Sequence, residues 1–226
     1  MDKLYQVDVQ VRERVFTKDP ATTELGRRII EHGIVLIDEL GFERFTIGKL
    51  ASALGTAETS VYRYFANKHR LLIYLVDWYW SWREMKLVFD TANIADAKAR
   101  LERGIRSVTA PVKERGPYAH VDLRALYRIA VAESAKAWLT KDVDAGAKDG
   151  HYGSFVRLCH RLRDLITDVR PRHPYPTALA SLVIEGTDSL SFFSEHMAAL
   201  KDKGAHDQGD LFVHLVLSTL DTKRGA

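Results

Sequence analysis

Cysteine occurs once in the 226 residues, at Cys159, which excludes an internal disulfide. No apolar run approaches the ~20 residues that cross a bilayer. The opening MDKLYQ lacks the apolar stretch of a secretion signal. A reducing cytoplasm, away from any membrane, is the expected setting. Charge of one sign is also scarce: the formal net charge is +3, too little to argue by itself for a polyanionic partner. There is no internal repeat, no phosphate-binding glycine loop and no local set of three or four metal ligands. An apolar content of 46% is nevertheless enough to build a core, and the length leaves room for a small domain and a larger one.

The informative stretch is residues 46–72, TIGKLASALGTAETSVYRYFANKHRLL. Ile47, Leu50, Ala51 and Leu54 recur at the spacing of one buried helical face, and Gly55 supplies the positive φ of a sharp turn. On the next helix Val61 and Phe65 point inward, which turns Thr59 and Arg63 outward, with Ser60 and Tyr64 flanking that edge on one side and Tyr62 on the other. An outward face of hydroxyls, phenols and one Arg suits DNA, because Arg grips guanine with two hydrogen bonds, hydroxyls reach bases or phosphates, and a helix fits the major groove. Residues 1–70 balance eleven Lys and Arg against ten Asp and Glu, but from Arg44 to Arg70 five basic residues face only Glu58. The basic bias is local, as a groove-binding face needs.

The pattern Thr46, Leu50-Ala51, Leu54-Gly55, Val61-Tyr62, Tyr64-Phe65, Lys68 and Leu71-Leu72, extended back through residues 23–45 by a helix ending at Gly41-Phe42, resembles the DNA-binding domain of the TetR family of bacterial transcriptional repressors. The resemblance implies an all-α protein: an N-terminal three-helix helix-turn-helix domain followed by a larger helical domain for ligand binding and dimerisation. It also implies a homodimer on a palindromic DNA operator, released by a small-molecule effector. The DNA-contacting candidates are Thr46, Lys49, Thr59, Ser60, Tyr62, Arg63, Tyr64 and Lys68, with Arg63 placed for a base edge and Tyr64 and Lys68 for phosphates. Three positions depart from the family pattern. Thr56 stands for the usual Val, Ala57 for a capping Ser or Thr, and Thr59 for Gly, Ala or Pro, leaving Thr56 and Thr59 as substitute caps. Gly48 takes a place where some members present a longer side chain to a base.

The expected domains are an arm at 1–18, the DNA-binding domain at 19–70 and the larger domain at 71–226. In the arm Tyr5, Val7, Val9 and Val11 alternate with polar residues like a short strand, and Asp19-Pro20 reads as a helix start. A long helix is expected from Lys68 to about Phe89, with Leu71, Leu75, Trp78, Trp82, Met85 and Phe89 on one stripe, placed to carry movement between domains. Further helices are expected at 93–113, 121–139, 154–169, 177–200 and 208–221, with breaks at Gly116-Pro117 and at Pro171, Pro174 and Pro176. Dimerisation is assigned to 177–221, where Leu179, Val183, Gly186, Leu190, Phe193 and Met197 and then Leu211, Leu215 and Leu220 form apolar stripes.

Trp78, Trp82, Tyr127, Trp138 and Phe192 are the candidate effector-binding residues, suited to an apolar or aromatic molecule. The pairs His120/Asp122 and Cys159/His160 fall short of a metal site, because neither forms a local set of three or four ligands, and the adjacent Cys159 and His160 would point about 100° apart on a helix. Asp142 and Asp144 fail as a calcium loop, since Gly153 occupies the place of the bidentate Glu. No cofactor, metal or catalytic residue is expected. The competing class is a helical enzyme using His120, Asp122 and Glu133 for acid–base chemistry, which lacks a nucleophile with its base and orienting partner. A sequence-independent DNA-packaging protein would need a strong overall positive charge.

Overall fold

The computed structural model describes Val11 and residues 15–112, 121–138, 150–200 and 207–221. Most of the strand-like arm, the Gly116-Pro117 break, His120 and the Asp142/Asp144 segment lie outside the described residues. Among those described there are nine α-helices and no strand. They are α1 (Glu24–Leu40), α2 (Ile47–Leu54), α3 (Glu58–Tyr62), α4 (Lys68–Thr91), α5 (Ala97–Thr109), α6 (Leu123–Trp138), α7 (Gly153–Val169), α8 (Pro176–His196) and α9 (Gln208–Asp221). Among the described residues no helix is long and apolar enough to cross a membrane. The chain forms two compact units, residues 1–82 with 112–154, and residues 83–111 with 155–226.

In the first unit the helix starts follow local chemistry. Asp19 accepts from the Ala21 amide at 2.8 Å and Pro20 opens a single 3-10 turn. Thr23 then caps α1 by accepting from the Gly26 amide at 3.0 Å. The α1 core face is Ile29, Ile30, Ile34 and Ile37, each at most 4% exposed. Gly41, at φ 75°, ends the helix where a side chain would be strained. Leu71, Leu72 and Leu75 of α4 and Leu126, Ile129 and Ala130 of α6 complete this core. Instead of one apolar stripe, α4 is buried on every side from Leu71 to Ser81, while Phe89 is 65% exposed. A helix enclosed all round shows no amphipathic period to read.

The second unit packs α5, α7, α8 and α9 with the end of α4. Asp96 caps α5 through the Ala99 amide at 2.7 Å. The buried face comprises Leu101 and Ile105 of α5, Leu158 and Leu162 of α7, Val183 and Ile184 of α8, and Phe212 and Val216 of α9. Gly186 makes the α8–α9 contact possible, since a β-carbon there would stand 3.0 Å from the Phe212 ring. Two buried charges in this unit, Arg83 and Glu84, have polar partners. Arg83 donates to the Ser107 and Ala110 carbonyls at 3.3 and 2.8 Å, and Glu84 accepts from Arg157 and Arg161 at 2.8 and 3.3 Å. Burial pushes the Asp188 carboxyl up to about 7, with the Arg83 charge opposing the shift.

Two glycines separate rigid from yielding contacts. A β-carbon at Gly26 would meet the Pro20 carbonyl oxygen at 2.2 Å and Pro20 Cα at 2.6 Å, both backbone, whereas one at Gly104 would meet the end of the Leu165 side chain at 2.6 Å. Gly26→Ala is expected to destabilise the protein by about 3 kcal/mol or more and Gly104→Ala by about 1 kcal/mol, measured by urea unfolding followed by circular dichroism.

Candidate nucleic-acid interface

Thr46 begins the helix pair by capping α2, its hydroxyl accepting from the Lys49 amide at 3.2 Å. The first helix buries Ile47, Leu50, Ala51 and Leu54. Gly55 then adopts the left-handed conformation, φ 65° and ψ 35°, which turns the chain into α3. Val61 and Phe65 are wholly buried, so the remaining α3 positions are outside. Thr59, Tyr62 and Arg63 are exposed and Ser60 is half-buried, with Thr46 and Lys49 exposed on α2. The structure therefore brings six of the eight candidates onto the outward side of the helix pair.

The other two point elsewhere. Tyr64 is 4% exposed, its hydroxyl 2.7 Å from the Thr23 hydroxyl, with Lys18 Nζ 5.3 Å from its ring centre. Tyr64 lies past the end of α3 at Tyr62, and its contact with the Thr23 hydroxyl draws it to the inner side. Lys68 is half-buried, and its ammonium donates to the carbonyls of Phe42, Glu43 and Phe45 at 3.0, 3.3 and 3.2 Å, 4.6 Å from the Phe42 ring centre. An ammonium has three donors, and all three are occupied here. Arg70 likewise turns to the buried His151 ring, with one contact at 3.1 Å.

Two features had no clear sequence signal. The N-terminus of α3 carries no side-chain cap, so neither Thr56 nor Thr59 replaces the missing Ser or Thr at Ala57. Glu58, exposed in the first turn of α3, lies across α2, where a β-carbon at Gly48 would stand 2.8 Å from its Oε1. Gly48 is the space the acid uses.

Of the effector candidates, Trp78, Trp82, Tyr127 and Trp138 belong to the first unit and Phe192 to the second. Trp138 stacks on Trp80 at 6.2 Å and 25°, while Trp82 and Tyr127 lie 6.1 and 6.2 Å from the buried Tyr79 ring. A cavity of ≈ 10 Å³ among Ile73, Trp80, Trp138 and Tyr152 has room for about one water. Phe192 packs on His196 at 4.6 Å. A separate groove of ≈ 440 Å³ in the second unit, between Arg170, Tyr175, Leu179, Leu182 and Thr219, contains none of the five. No cluster of metal-ligating side chains occurs among the described residues. The acid–base candidates are engaged structurally: Asp122 caps α6 through the Arg124 and Ala125 amides at 2.9 and 3.1 Å, and Glu133 accepts from the Phe42 amide at 3.1 Å.

A short helix pair with a left-handed glycine turn, an apolar inner face and an outward Thr, Tyr and Arg set defines a helix-turn-helix DNA-binding protein. Residues 29–75 match the family model for bacterial regulatory proteins of the tetR family, and this segment is a DNA-binding domain of that type. Solved structures share the fold over nearly the whole chain. The fatty acid degradation regulator FadR from Bacillus halodurans is 13% identical with TM-score 0.57, over 96% of this chain and 100% of that one. A bacterial regulatory protein in the tetR family from Rhodococcus RHA1 is 18% identical with TM-score 0.57, over 88% and 96%. AibR, solved with isovaleryl coenzyme A and operator DNA, is 19% identical with TM-score 0.54, over 84% and 96%. Comparison with curated proteins gives no match.

The two lysines of the helix pair are expected to differ in stability. Lys68→Ala leaves two part-buried carbonyls and one exposed carbonyl without their donor and is expected to cost about 1–2 kcal/mol, whereas Lys49→Ala, losing one exposed bond to the Arg44 carbonyl at 2.7 Å, should cost under about 0.5 kcal/mol in the same urea titration.

Proposed function

We propose that the protein is a homodimeric repressor that binds a palindromic operator and leaves it when a small hydrophobic effector is bound. The observation that carries the reading is the outward face of α3, where exposed Thr59, Tyr62 and Arg63 stand beside exposed Thr46 and Lys49 of α2. Arg63 reads a base edge, and Thr59, Ser60 and Tyr62 supply hydroxyls to bases or phosphates. One helix pair reads few base pairs, so two copies about 34–36 Å apart on the duplex gain both affinity and a palindromic target.

Support for dimerisation through 177–221 comes from apolar side chains left uncovered within one chain. Leu182, Phe193 and Met197 of the α8 segment are 56, 37 and 46% exposed, and Leu211 and Leu215 of α9 are 48 and 38% exposed. A symmetric partner would cover them. For the effector, Trp78, Trp82, Tyr127 and Trp138 are the receiving aromatic residues; of these Trp138 lines the ≈ 10 Å³ cavity, which must open to admit a ligand. The structural neighbours FadR, named for fatty acid degradation, and AibR, solved with isovaleryl coenzyme A, favour an acyl-type molecule. Coupling follows if the effector prefers a dimer geometry whose recognition helices no longer match the groove spacing.

Arg63→Ala is expected to cost about 1–3 kcal/mol on the preferred duplex and to flatten discrimination at one or two positions, read from binding to a panel of single-base variants at two salt concentrations. A uniform loss that keeps every base preference would make Arg63 a backbone contact. Leu182→Glu with Leu215→Glu is expected to give a monomer by sedimentation that has lost tight operator binding while keeping its helical content.

A further inference from the structure

The joint between α1 and α2, Gly41–Phe45, has its polar backbone satisfied by side chains remote in sequence. Lys68 takes three carbonyls. The Phe42 N–H donates to Glu133 Oε1 of α6 at 3.1 Å in a buried bond. Glu133 Oε2 is 2.8 Å from Lys136 Nζ, which also reaches Glu43 Oε1 at 3.1 Å. The hydrogen bond that Lys136 donates to Glu133, and next the one it donates to Glu43, raises the Lys136 pKa, and the Glu43 carboxyl is lowered in turn by accepting from Lys136. The Lys136 carbonyl is 2.9 Å from the His69 ring, and Arg128 of α6 holds Asp38 near the end of α1 at 2.8 and 2.5 Å.

Glu133 stands apart within this set because it is only 8% exposed. Burying a carboxylate costs several kcal/mol unless hydrogen bonds and a counter-charge repay it, and a leucine would fill the space without that cost. What the carboxylate adds is a grip on one loop amide, four residues before the cap that starts α2. We propose that Glu133 is a positioning residue for DNA reading: by holding the Phe42 amide it fixes where α2 begins, and through the α2–α3 turn it fixes how Arg63 and Thr59 are presented. The inference rests on the DNA-binding reading above and adds to it a residue outside the helix pair. Placement to within about 0.5 Å is what side chains at a recognition surface require, so a released joint costs selectivity before it costs fold.

The test uses the full-length protein and a duplex enriched from a random pool by the unaltered chain, with an unrelated duplex of equal length as control. Glu133→Ala and Glu133→Asp, which withdraw the acceptor, are expected to weaken the enriched duplex about tenfold or more and the control less than about twofold, with the salt slope unchanged. Glu133→Gln retains an acceptor oxygen and is expected to stay within about threefold of the unaltered protein on both. Hydrogen exchange at the Phe42 amide should quicken in the first two variants only. Asp122→Ala, which uncaps the same helix without touching the joint, should lower thermal stability and leave both affinities in place. Unchanged binding of the enriched duplex by Glu133→Asp overturns the proposal, as does an equal loss on both duplexes. Failure of the unaltered protein to enrich any duplex overturns instead the DNA-binding reading, so the two failures are distinguishable.

Discussion

The angle between α2 and α3 is the constraint on which the first unit turns. It depends on Gly55 in the left-handed conformation and on Leu50, Val61 and Phe65, all with no exposed surface. Nothing lies within 4 Å of where a Gly55 side chain would sit, so its requirement is conformational and not steric. Once those contacts set the angle, the outward positions follow without further choice. Thr59, Tyr62 and Arg63 face solvent because their neighbours cannot. The same four-residue logic that buries Val61 and Phe65 selects the side chains offered to a groove.

Within each unit, charged side chains bond main-chain groups. Lys68, Glu133, Asp122 and Arg83 each spend their charge on amides or carbonyls at loop or helix ends. Such bonds are stronger than neutral ones and tie segments that have too little apolar surface to hold themselves. They also account for two carboxylates that invited a catalytic reading. Asp122 and Glu133 have the residue type and proximity in sequence of an acid–base pair, yet one ends in a helix cap and the other on a loop amide.

Helix positions were largely legible, because caps and breakers are local. The helices α5, α6, α7 and α9 fall inside their expected ranges or within one residue of them, while Asp19-Pro20, read as a helix start, opens only a 3-10 turn ahead of α1. The inner and outer faces of α2 and α3 were legible for the same reason. What escaped was anything decided by a distant partner. Tyr64 and Lys68 carry the family's residue types at the family's spacing, but Thr23 and the carbonyls of Phe42 to Phe45 capture them. The enclosure of α4 needed neighbours from several elements at once. The cradle at Gly48 was visible only as an absence of a side chain, and its occupant, Glu58, comes from the next helix.

Cys159 lies buried on α7, 4% exposed, and burial pushes its thiol up to about 11. The thiolate, the form that attacks peroxides, disulfides and alkylating reagents, is thereby disfavoured at pH 7. As the sequence has no second thiol, thiol-directed reagents find little purchase on the folded protein. A cysteine introduced on the outer face of α3 would accordingly be the one reactive sulfur, open to a spin label or fluorophore with the native residue left in place.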